Sequence, residues 1–128
     1  MRWFKKQEPT EIWDEPIQWP IGDIEAAHKI RDICRSAADS AAKTVSMAGD
    51  RDSGKQQYEV QRYERAARAA MEIAMKISDD LLRDSAVRQI IDLCFKADDL
   101  RTSRILFRAI QSPSIRQEVL RDHPQLAQ

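Results

Sequence analysis

Glycine, histidine and cysteine are scarce in this chain of 128 residues, which holds three, two and two of them. With so few glycines there is no Gly-rich phosphate loop and no G-x-S-x-G elbow, because both need several close-packed positions that only glycine fills. The two cysteines, Cys34 and Cys94, make neither a disulfide framework nor a zinc ribbon, and they point to a reducing, cytoplasmic setting. Net charge is missing as well: 21 Lys and Arg are matched by 21 Asp and Glu. That balance removes the bulk attraction on which non-specific binding to nucleic acid or to an anionic membrane depends. Long apolar runs are also lacking. The longest stretches without a charge, Pro16 to Gly22 and Ala109 to Ile115, fall far short of the roughly 20 apolar residues of a membrane span. No integral membrane segment is expected, and the basic Met1-Arg2-Trp3-Phe4-Lys5-Lys6 opening is not followed by the apolar stretch of a secretory signal.

What is present is helical pattern. Glycine and proline disfavour helix interiors by about 1 and 3 kcal/mol relative to alanine. Both are absent from Asp23 to Ala48 and from Lys55 to Ser112. In the first block Ala27, Ile30, Cys34, Ala37, Ala41, Val45 and Ala48 recur at steps of three and four. In the second, Val60, Tyr63, Ala67, Ala70, Ala74, Ile77 and Leu81 do the same. Two alanine-rich seams joined by Gly49-Asp50-Arg51-Asp52-Ser53-Gly54 predict a long antiparallel helical hairpin with close backbone approach.

A helix running the whole second block does not suit a compact domain, so breaks are placed near Asp84 and Asp98, where Asp and Ser can cap a following helix. Three short helices result: Ser85 to Ala97 with Val87, Ile90, Ile91 and Cys94 inward, Leu100 to Gln111 with Leu106, Phe107 and Ile110 inward, and Pro113 to Asp122 with Ile115, Val119 and Leu120 inward. The fold class is therefore an all-α helix bundle. Residues 1–22 form an extended Trp- and Pro-containing arm, 23–122 one bundle domain, and 123–128 a fraying tail. Seven acid-to-base pairs at a spacing of four (Glu25/Lys29, Asp39/Lys43, Glu64/Arg68, Glu72/Lys76, Asp79/Arg83, Asp84/Arg88 and Asp92/Lys96) lie in the orientation that supports a helix by about 0.2–0.5 kcal/mol each, and they read as solvated faces.

Candidate chemistry is thin. Glu25-Ala-Ala-His28 has the Glu-x-x-His step of di-iron bundles, but the second such step is missing, because Leu120 precedes His123 by three. A metal-dependent enzyme built on helix faces is thus a remote alternative, and no cofactor is expected. Cys34 and Cys94 lie on core faces, where a thiol behaves as a small hydrophobe.

Two surfaces stand out for recognition. The arm holds all three tryptophans, Trp3, Trp13 and Trp19, with Pro9, Pro16 and Pro20 stiffening it. Trp is among the residues most enriched at binding hot spots, and a stiff segment loses less entropy on docking. The arm can fold Trp13 and Trp19 onto its own bundle or insert them into another chain. The second surface follows from charge by segment: residues 101–128 carry +3 and each earlier segment −1. Arg101, Arg104 and Arg108 share one helix face, and Ile105 projects beside them rather than with the apolar group. A mixed Ile and Arg surface suits a protein partner. The expected function is a non-enzymatic protein–protein interaction module, an adaptor or small assembly protein, with self-association as one form of that role. The alternative is a small nucleic-acid-binding regulator, in which the consecutive short helices would carry those arginines into a groove.

Overall fold

A computed structural model describes residues 11–49 and 53–127, the side chain of Ser53 excepted. Five α-helices make up most of it: α1 (Asp23–Ser46), α2 (Ser53–Ala74), α3 (Asp80–Lys96), α4 (Leu100–Ala109) and α5 (Pro113–Asp122). One-turn 3-10 helices at Ile12–Asp14 and Pro124–Ala127 flank them, and the described residues contain no strand. No helix among them is long and apolar enough to cross a membrane.

α1 and α2 lie side by side with their partners in reverse order. Gln56 donates to the Thr44 carbonyl, Ser40 donates to Glu59 at 2.7 Å, and the Asp23 carboxylate accepts from the backbone N–H groups of Ser78 and Asp79. The seam of α1 is not the one expected. Its buried stripe is Ala26, Ile30, Ile33, Ala37, Ser40, Ala41 and Thr44, while Val45 and Ala48 are exposed. The stripe turns because two polar residues can sit inside once their hydroxyls are satisfied: Thr44 donates to the Ala41 carbonyl, and Ser40 is held between Glu59 and Arg62. In α2 the seam runs Tyr63, Ala66, Ala67, Ala70, Ile73 and Ala74, and Ile77 continues it into the following turn.

The break expected near Asp84 lies instead at Met75–Asp79, so α3 starts earlier than predicted and Leu81 belongs to α3 rather than to the α2 seam. Asp79 caps α3 by accepting from the Leu82 N–H. Asp84 caps no helix of its own. It is buried to 1% exposure within α3, where one oxygen accepts from the N–H groups of Gln111 and Ser112 in the α4–α5 connection. The second break falls at Ala97–Asp99, with Asp98 in the left-handed region at φ 56° and Asp99 capping α4. α4 ends at Ala109, two residues sooner than expected. α5 has the predicted bounds, with Ser112 as its cap.

α3 is the centre of the molecule. It packs against both long helices and carries α4 and α5 on its other side, so Ala86, Val87, Ile90, Ile91, Leu93 and Cys94 are all buried, too wide a stripe for one face. Residues 124–127, predicted to fray, form a 3-10 turn that seats Leu126 in the core. Before it, His123 stacks on Phe95 at 3.8 Å between ring centroids and lies 2.8 Å from the Asp92 carboxylate.

Candidate interaction surfaces

Of the arm, the described part begins at Glu11. Arg62 of α2 donates to both Glu11 carboxylate oxygens, at 2.7 and 3.0 Å, and its guanidinium lies 5.0 Å from the Trp13 ring centroid. Arg65 pairs with Asp14. These contacts fix the turn Ile12–Asp14 on α1 and α2, and Trp13 is buried there. Trp3 lies outside the described residues. Trp19 keeps an exposed fraction of 40%, with the Lys76 ammonium 5.1 Å from its ring centroid. A cleft of about 360 Å³ remains between the arm and the two long helices, walled by Trp13, Ile33 and Ile73 and rimmed by Trp19, Lys29 and Lys76.

Exposed apolar side chains occur where α1 begins and α2 ends. Asp23 holds the start of α1 against the α2–α3 turn, and around that contact Ile24 is 65%, Met75 73% and Leu81 60% exposed. None of the three is singled out by the sequence: the three-and-four spacing places Leu81 in the α2 seam, and the usable signal for Ile24 is its phase, two residues from the buried Ala26 and hence on the opposite side of the helix.

On α4, Arg101, Arg104 and Arg108 are exposed, and none has an ion pair or hydrogen bond among the described residues. Ile105 stands among them at 55% exposure, and Leu106 and Phe107 face the core. The arginines that face α5 and the α4–α5 connection are engaged instead. Arg88 reaches Glu118 and Asp122 on α5, and Arg116 donates to the Phe107 and Ile110 carbonyls while stacking on the Phe107 ring.

Those longer reaches also undo most of the expected pairing along the helices. Of the seven predicted pairs only Asp39/Lys43 forms, at 3.1 Å. Arg88 leaves Asp84 for α5, Asp92 turns to His123 and Lys76 goes to Trp19, while Arg83 takes Asp80, three residues before it on its own helix. A partner fixed by packing on another element outweighs an exposed one-turn pair of a few tenths of a kcal/mol.

Cys34, Cys94 and Tyr63 are ionisable groups of the interior. Burial pushes the Cys34 thiol up to about 12, helped by Cys94 and Asp92, and the Cys94 thiol up to about 11. Both stay neutral and unreactive at ordinary pH. Tyr63, raised chiefly by burial and then by Cys94 and Asp99, donates to Asp99 at 2.7 Å. Glu25 and His28 are exposed, and no three His, Cys, Asp or Glu among the described residues converge to hold a metal.

No protein-family model matches this chain, and no curated protein and no solved structure matches it.

Proposed function

We propose that this chain is a non-enzymatic protein–protein interaction module, built as a helical hairpin with short C-terminal helices, that binds a protein partner or a second copy of itself. The observation that supports this is that Trp19 of the arm, beside Lys76, and Ile24, Met75 and Leu81, flanking the contact of Asp23 with the α2–α3 turn, are each left 40–73% exposed. Large apolar side chains grouped on a surface, as opposed to scattered singly, mark interaction sites. The Arg101/Arg104/Ile105/Arg108 face is a second recognition surface, since its cations are free to meet acidic groups around an apolar contact.

The test is light scattering across a concentration series, with capture of partners from the native host, for the wild type and an Ile24→Glu/Met75→Glu variant. The variant is expected to lose mass or partners while melting at the same temperature. Equal mass and equal capture for both proteins would count against the reading. The three free arginines also favour a second reading, a nucleic-acid-binding regulator. It requires a salt-sensitive shift of labelled duplex that Arg104→Glu/Arg108→Glu abolishes, and no shift at low salt ends it.

A further inference from the structure

A different concave site lies between α1 and α3. Arg31 and Arg35 fall one turn apart on α1, and Lys96 comes from the end of α3. With Gln89 they line a groove of about 380 Å³ floored by Cys34, Ala38 and Leu93. From three cations and an apolar floor lining one groove we propose that it binds a small phosphate ester, with the phosphate between Arg35 and Lys96 and the organic body on Ala38 and Leu93.

The cations are unusually available. The sequence supplies Arg35 and Lys96 each with an acid on its own helix, and the fold sends those two acids elsewhere. Asp39, one turn from Arg35, is bonded to Lys43 at 3.1 Å, and Asp92, one turn from Lys96, is bonded to His123 at 2.8 Å. Arg35 and Lys96 consequently have no ion pair among the described residues. Among the described residues Arg31 bonds only its neighbour Asp32, at 3.3 Å, an exposed contact that leaves most of its five guanidinium donors free. Among the described residues Asp92 is the one carboxylate lining the groove, and it is held by a ring stacked on Phe95. Three cations around a hollow repel one another, and an oxyanion relieves that repulsion while accepting from guanidinium and ammonium donors together. The Cys34 thiol beneath stays uncharged and adds no opposing field. Gln89 offers a carboxamide to a hydroxyl or carbonyl of the ligand body.

The probe is phenyl phosphate, followed by backbone and side-chain amide shifts in the full chain at low salt, with phenol as the uncharged comparison. Saturable shifts confined to residues 31–38 and 89–96 are expected, with no response to phenol. Arg35→Gln/Lys96→Gln should weaken binding about tenfold, since each exposed ionic contact is worth a few-fold to fivefold. Asp92→Asn, which removes the one carboxylate of the groove, should tighten it by about threefold. Arg104→Gln/Arg108→Gln, on a helix that does not line the groove, should leave it unchanged. Thermal melting of each variant separates lost binding from lost folding. Absence of saturable shifts, equal binding of phenol, or equal weakening by the α4 variant would each overturn the proposal.

Discussion

Replacing Asp84 with alanine should cost about 2 kcal/mol, and the structure states where that energy comes from. One carboxylate oxygen accepts from two consecutive backbone N–H groups, Gln111 at 3.1 Å and Ser112 at 2.8 Å, and so holds the α4–α5 connection onto α3. Hydrogen bonds to a charged acceptor contribute about 1.5–3 kcal/mol each, which puts the gross loss near 3–6 kcal/mol. Two terms reduce it. The freed N–H groups are only partly buried and can take water, and deletion also removes a desolvated carboxylate whose other oxygen has no hydrogen-bond partner, Arg83 being 3.9 Å away. The remainder is about 2 kcal/mol, or roughly 8 °C in melting temperature for a domain of this size. Asp84→Asn keeps an acceptor oxygen but buries an NH₂ in place of the orphan oxygen, so a smaller loss of about 1 kcal/mol is expected. Urea unfolding gives the magnitude, and amide hydrogen exchange gives the location, because Gln111 and Ser112 should lose protection before the α1–α2 pair does. An alanine variant within about 0.5 kcal/mol of wild type, with those two amides still protected, would refute the clasp.

Ile90 is fully buried in α3, so Ile90→Ala should destabilise by about 2–5 kcal/mol in urea unfolding, whereas Ile105→Ser on the exposed α4 face should stay within about 0.5 kcal/mol. Arg62→Met should release the arm by losing Glu11 and Ser40 together, read as faster proteolysis before α1 and a red shift of Trp13 emission at nearly unchanged global stability. Cys34 and Cys94 have folded values of about 12 and 11 against an ordinary 9.0, so above pH 9 the unfolded chain gives up thiol protons that the folded one keeps. The thiols' contribution to stability is therefore full below pH 9 and declines as pH rises toward 11–12, and a Cys34→Ala/Cys94→Ala variant should show a shallower decline in melting temperature over that range.

Much of the helical layout was legible because backbone rules are local. Absence of Gly and Pro marks the blocks, Ser112-Pro113 starts α5 at the residue expected, and Asp99 caps α4. The stripes of α4 and α5 follow from period alone, since each is a short helix with a single covered side. Errors arose where a residue's role is set by what comes to meet it. The α1 seam expected from apolar spacing runs through Val45 and Ala48, whereas Ser40 and Thr44 are interior because Glu59, Arg62 and the α1 backbone satisfy them. Asp84 looked like a cap and instead serves a connection 27 residues away.

The sequence by itself determined that this chain is helical, where most of its helices begin and end, and that every tryptophan sits in the arm, since those follow from propensity, capping and order along the chain. Tertiary structure alone decided which charges are paired and which are free. The choice between an acid one turn away and one on another helix turns on packing geometry, and that choice left Arg35 and Lys96 beside a common groove and the α4 arginines facing water.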